Sequence, residues 1–251
     1  MRNKIVQTVL PYCTLLLLVI IAIFAPVEKN STGWIPLTGG LVDGCQWVSG
    51  ILSVVLMVTG SGQQNRDEEI FEHKPFLVIA DYLARQGIAS LRYDDRATGA
   101  SFGGDVASAT TEDVSCAAAA GLKFLRGMKA FSKVGLIGHS EGGAIAFILG
   151  AKGMTDFIVS MAGPGVKGDT LLVMQQNRVA ELMGITTKTS IAQLRKNEQL
   201  LKTPWFRWFI DYDPSADIKS TRCPVFAITG NRDCQVISLQ NLTAIEQLLP
   251  K

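Results

Sequence analysis

From residue 51 onward, apolar runs of strand length alternate with helical stretches. Residues 51–59 form a nearly continuous β-rich apolar run, the pattern of a strand buried on both faces. Residues 75–86 predict a helix, with Pro75 at an acceptable first-turn position and Gly87 just past the end. A second strand follows at 88–93. Residues 110–126 then predict a helix in which Thr110 and Asp113 stand at capping-box spacing. Strands at 134–137 and 156–162 flank an apolar helix through 144–149, and a strand at 224–229 precedes a helix at 238–249. Such alternation predicts an α/β fold, a mostly parallel sheet with helices on both faces and ligands outside the carboxyl ends of the strands. Residues 30–50, rich in Gly and turn formers with Trp34 and Trp47 isolated, suit an antiparallel hairpin leading into that sheet.

Two stretches break the alternation. Residues 164–222 carry polar helical patterns and the aromatic cluster Trp205, Phe206, Trp208 and Phe209. Lying between two sheet strands, this stretch predicts a helical cap, whose rings either fasten it to the body or touch a ligand. Residues 1–25 begin with Arg2 and Lys4 and continue into an unbroken apolar run at 15–25, the pattern of a signal peptide. Ile23 stands where a cleavage site wants a small residue, so an uncleaved anchor is the alternative. The expected organisation is a leader or anchor at 1–25, core at 26–163, cap at 164–222 and core again at 223–251, in an exported protein.

Composition narrows the function. A chain of 251 residues with 47% hydrophobic content suits one domain with a sizeable core. The net charge of +2, dispersed along the chain, gives nucleic-acid binding no electrostatic footing. Cys13, Cys45, Cys116, Cys223 and Cys234 include no Cys-x-x-Cys and have no His at ligand spacing, so neither a metal nor another cofactor is expected. A bridge among the later four cysteines and simple apolar packing both stay open.

The chemistry centres on Gly138-His139-Ser140-Glu141-Gly142, a Gly-x-Ser-x-Gly pattern set between a predicted strand and a predicted helix. The five residues alone are a weak signal, and a Gly-rich turn with an incidental Ser is the plain alternative. In the strand-turn-helix context, Ser140 becomes the candidate nucleophile. The strand at 51–59 ends in Gly60-Ser61-Gly62-Gln63, a loop able to aim backbone N–H groups at a ligand. With Ser140 as nucleophile, the N–H groups of Gln63 and Glu141 form the expected oxyanion hole. A plain turn or a phosphate loop competes, although no Gly-Lys-Ser/Thr follows. Asp94-Asp95-Arg96 closes the second strand, where an Asp–Arg pair pinning the loop is the simpler expectation. Asp233, just after the strand at 224–229, stands where the acid that orients a catalytic imidazole belongs, against the alternative that it closes a turn.

Residues 59–68, His73-Lys74-Pro75-Phe76, and residues 91–101, 138–143 and 230–236 together resemble bacterial α/β-hydrolase-fold esterases with a Gly-Ser-Gly-x-Gln-x-Arg-Asp-Glu oxyanion loop. The resemblance runs from about residue 52 to the end, with five separated motifs in order. It implies a serine carboxylesterase acting on small esters with short acyl chains. Two departures stand out. Ala97-Thr98 occupies the place where that family usually has Gly-Val, and no His follows Asp233, the two in the chain being His73 and His139. The resemblance therefore predicts an α/β-hydrolase fold that is C-terminally incomplete, lacking a last strand, a His-bearing loop and a closing helix, with an open sheet edge and hydrolysis near background. A non-catalytic relative holding hydrophobic or acyl ligands is the alternative. Ester hydrolysis, thioester cleavage and acyl transfer would share these residues, and a membrane would enter only through residues 1–25.

Overall fold

In a computed structural model, the protein is described at residues 5–8 and 52–250. Six parallel strands form one sheet: β1 (Ile5–Thr8), β2 (Leu52–Val58), β3 (Ala89–Leu91), β4 (Phe131–His139), β5 (Ile158–Met161) and β6 (Val225–Thr229). Their order is β1-β6-β5-β4-β2-β3. The helices between them are α1 (Pro75–Arg85), α2 (Thr111–Gly127), α3 (Glu141–Ala151), α4 (Gly168–Leu182), α5 (Ile191–Arg195), α6 (Glu198–Leu201), α7 (Pro204–Asp211), α8 (Ser215–Ser220) and α9 (Ser238–Leu248). The α/β expectation holds, and each predicted strand and helix after residue 51 is present within a few residues of its expected bounds.

The apolar run of β2 is unbroken because both of its faces are covered. Val54, Leu56 and Val58 pack with Ala118 and Leu122 of α2 and with Ile145 of α3, whereas Val55 and Met57 pack with Phe76 and Ala80 of α1. Helix α3 shows no amphipathic stripe for the same reason: every residue from Glu141 to Gly150 is buried. Helix α2 starts as its sequence indicates. Thr110 accepts from the Asp113 N–H while Asp113 accepts from the Thr110 N–H, a complete capping box.

Residues 164–222 supply five helices. Arg195 of α5 fastens three of them, donating to Asp169 of α4 at 2.5 and 2.8 Å and to Asp211 of α7 at 2.9 Å. The last, α8, buries Ile218 within the main core beside α3 and α9.

The edge expected to lie open beyond β6 is occupied. Ile5–Thr8, inside the segment expected to be a leader, pairs in parallel with Phe226–Thr229. Residues 5–8 run in the same direction as β6, and the pairing gives the N–H and C=O groups along that side of β6 ladder partners. The rest of residues 1–25 and the hairpin expected at 30–50 lie outside the described residues, as do Cys13 and Cys45. Cys116, Cys223 and Cys234 are free thiols. No helix among the described residues is long and apolar enough to cross a membrane.

Candidate active site

Strand β4 runs straight into α3 through Ser140, whose backbone is at φ 51° and ψ −115°. A non-Gly residue in that conformation stores roughly 1–3 kcal/mol of strain, which the surrounding packing must hold. The turn is closed by the Ser140 N–H donating to the Met161 carbonyl at 2.8 Å and by the Gly143 N–H donating to the Ser140 carbonyl at 2.8 Å. Glycine is required on both sides. A Cβ at Gly138 would collide with the Gly142 carbonyl, and one at Gly142 would collide with the Val58 carbonyl of β2. Ser140 thus sits at the amino end of α3 with a hydroxyl that makes no capping bond.

The loop after β2 lies directly against this turn. A Cβ built on Gly60 would stand 3.3 Å from Ser140 Cβ and 3.4 Å from His139 Nδ1. Three consecutive charged residues then fasten the loop, each to a different partner. Arg66 donates twice to Asp94, at 2.5 and 3.0 Å, Asp67 pairs with Arg92, and Glu68 meets His139 Nδ1 at 2.7 Å. The expected Asp–Arg pair therefore exists, with Arg66 as Asp94's partner; Arg96 donates instead to the Asp113 carbonyl. The Arg66 hydrogen bonds hold the Asp94 carboxyl well below its ordinary range despite burial, helped by the Ala100 and Arg66 N–H groups. Asp95 is pushed the other way. Burial raises it, and Glu141 and Glu68 add to that, against the N–H of Gln64 and the hydroxyl of Thr59.

Backbone accounting along the loop picks out a short gap. The N–H groups of Gly60, Gln64, Arg66, Asp67, Glu68 and Glu69 all donate to protein oxygens. Those of Ser61, Gly62, Gln63 and, beyond Gln64, Asn65 have no acceptor among the described residues; the first three are consecutive and exposed. The Gln63 side chain turns back to donate to the Arg96 carbonyl at 3.0 Å, which holds that residue's backbone in place.

Asp233 lies in the loop after β6. Its Oδ1 accepts from the N–H groups of Gln235 and Val236 at 2.8 and 2.9 Å, so it closes a turn, while Oδ2 has no hydrogen-bond partner among the described residues. Its charge is felt by His139. Burial lowers the imidazole, yet the Glu68 hydrogen bond and the fields of Glu68 and Asp233 outweigh it and raise it above its ordinary value. His139 is thus engaged with Glu68 and makes no hydrogen bond to Ser140. His73 is exposed and belongs to a backbone bridge with Ile70, before α1.

Two contacts at this site had no forerunner in the sequence. The Glu141 side chain, 5% exposed, accepts from Thr111 Oγ1 at 2.5 Å and from Trp205 Nε1 at 2.8 Å, tying α2 and α7 to the turn. Trp205 stacks on Phe209 with ring centroids 4.9 Å apart. These rings gather with Leu171, Ala162 and Val236 above the carboxyl ends of β5 and β6. The second contact is that of Glu68 with Gly60 and His139. Glu68 already ends the Arg66-Asp67-Glu68 run, but its partners lie 8 and 71 residues away, a pairing that only the fold produces.

A parallel sheet with a strained Ser at a strand-to-helix turn defines an α/β-hydrolase fold. Residues 73–228 match the family described as serine aminopeptidase, S33, and the chain belongs to that family. Esterase EstD of Thermotoga maritima is 30% identical over 200 residues, which cover 75% of this chain and 48% of that protein. The chain spans about half the length of that relative. Among solved structures, the Pyrococcus furiosus esterase Pf2001 superposes with a TM-score of 0.58 at 19% identity, covering 79% of this chain and 69% of its own. Est1E of Butyrivibrio proteoclasticus, solved with ferulic acid bound, gives 0.56 at 16% identity, covering 78% and 76%.

Proposed function

We propose that the protein is built for acyl chemistry on small carboxylic esters, with Ser140 as nucleophile. The observation that carries this reading is the strained φ of Ser140 beside a loop whose Ser61, Gly62 and Gln63 N–H groups lack protein acceptors. In this reading Ser140 Oγ attacks the acyl carbon. The carbonyl oxygen becomes an oxyanion held by the N–H groups of Gln63 and Glu141, each contributing roughly 3 kcal/mol of transition-state stabilisation. The proton lost from Ser140 Oγ passes to a base and returns to the leaving oxygen as the ester C–O bond breaks, expelling the alcohol and leaving an acyl-Ser140, whose new ester bond water then cleaves to the free acid. Asp233 is the acid that would orient an imidazole through Oδ2. This reading assigns Ser140 no base among the described residues, His139 Nδ1 being engaged by Glu68. Similarity to EstD supports the ester class, and the rings of α7 over the strand ends support a helical cap at 164–222 that walls an acyl pocket.

Engagement of His139 by Glu68 favours a second reading, a non-catalytic member of the fold that holds acyl or hydrophobic ligands. Loss of the imidazole from a serine hydrolase costs on the order of a millionfold in turnover. Hydrolysis of a short-chain nitrophenyl ester, measured beside the Ser140→Ala variant, separates the two. Turnover above the variant sustains the hydrolase, and His73→Ala and His139→Ala then locate any recruited base. Equal rates in folded protein, together with binding of a fluorescent fatty acid, sustain the second reading. Export through residues 1–25 belongs to the proposal as well. Ile5–Thr8 cannot both leave with a cleaved leader and pair with β6, so the mass of the protein recovered from a bacterial periplasm decides between them.

A further inference from the structure

Glu68 is nine-tenths buried yet carries a carboxylate, and its backbone stands at φ 52°. A glycine would hold that backbone angle without strain, so the side chain is what the position gains. One oxygen, Oε1, serves both of its contacts: the Gly60 N–H donates to it at 2.6 Å, and His139 Nδ1 lies 2.7 Å away. Gly60 opens the loop whose next three N–H groups lack protein acceptors, and His139 immediately precedes Ser140. The two charges before it point elsewhere, Arg66 to Asp94 and Asp67 to Arg92, both partners at the carboxyl end of β3. Those pairs hold the loop to the sheet. Glu68 holds it to the nucleophile turn.

We propose that Glu68 is a positioning residue, a clamp from Gly60 to His139 that sets how far the free N–H groups of residues 61–63 stand from Ser140. The inference rests on the ester-hydrolase reading only for its catalytic consequence, since the clamp is a property of the loop. Charge-assisted bonds of this length are about twice as strong as neutral ones, and one acceptor atom shared by two elements leaves little play between them. An oxyanion donor acts only when it lies within a few tenths of an ångström of its place, so slack of one ångström costs about 10- to 100-fold in rate.

Hydrogen exchange at the Gly60 amide in Glu68→Ala and Glu68→Gln, measured beside ester turnover, tests the proposal. In Glu68→Ala the Gly60 amide is expected to exchange at least about 10-fold faster while α2 and β4 keep their protection, which shows that the fold stands. Turnover is expected to fall about 10- to 100-fold in kcat, with KM within about twofold. Glu68→Gln keeps an acceptor for Gly60 and should recover most of both. Unchanged exchange at Gly60 in Glu68→Ala overturns the clamp. Freed exchange with unchanged kcat overturns its positioning role. If the unaltered protein is no faster than Ser140→Ala, the hydrolase reading fails instead, and Gly60 exchange alone decides the clamp.

Discussion

Ala97 holds φ 54° at the third position of a turn closed by the Thr98 N–H donating to the Asp95 carbonyl at 3.0 Å. That position asks for glycine, because a Cβ in the left-handed region costs about 1 kcal/mol. The departure from the esterase-like pattern, Ala97, is thus a strained residue in a loop that also carries Asp94 and Asp95. Ala97→Gly is expected to stabilise the protein by about 0.5 kcal/mol after the extra freedom of the unfolded chain is subtracted, raising Tm by roughly 1–2 °C. A fall in Tm on thermal unfolding would show that the strain is relieved some other way. At this scale, what the sequence disclosed was local. Ser140 was legible because its neighbours on both sides fix a strand, a turn and a helix. The partners of Glu141 were not, since Thr111 and Trp205 lie 30 and 64 residues away and no periodicity connects them.

Elements proved more legible than contacts. The strand at 51–59 and the helix at 110–126 were plain because a continuous apolar run and a capping box each report a local cause. What α7 does was hidden, because its rings fit both a packing reading, the simpler of the two, and a ligand reading. The structure ties the helix to the turn through one hydrogen bond, Trp205 Nε1 to Glu141 Oε1 at 2.8 Å. Trp205→Phe keeps the stack on Phe209 but leaves a buried carboxylate short of a donor, at a cost of about 1–3 kcal/mol. Tm should fall by roughly 2–12 °C. Glu141→Gln lowers the stake, because a neutral amide is cheaper to leave underbonded. In a double-mutant cycle, Trp205→Phe should therefore cost less in the Glu141→Gln background. Additive effects would mean that the ring's apolar contacts, and not its N–H, hold α7 in place.

Across the molecule, sequence reasoning anticipated the sheet but not its edge. The four residues of β1 sit far from β6 in sequence, inside an export-like segment, and only the assembled sheet pairs them. Charge is likewise a property of the assembly, and it sets how stability should vary with pH. Asp94 is depressed below the ordinary 3.8, so its contribution is complete above that value and is lost as pH falls through the lower folded one. For Asp169, burial acts upward but the Arg195 hydrogen bonds more than reverse it, which puts it on the same acid limb. Asp95, raised by burial, works in the opposite sense and in a different window: its cost is absent below 3.8 and grows as pH rises through its higher folded value. His139 is raised above 6.5, so its contribution is complete below 6.5 and is lost as pH rises through its folded value. Stability measured by urea unfolding should therefore peak between about pH 4 and pH 6.5 and decline on both sides. Asp94→Asn should cost about 3 kcal/mol near neutrality, because it leaves the Arg66 guanidinium without its ion-pair partner, and this deficit should shrink steadily below pH 3.8. His139→Gln should flatten the alkaline decline while leaving the acid limb alone. An acid limb unchanged in Asp94→Asn would mean that some other carboxylate carries the acid sensitivity of the fold.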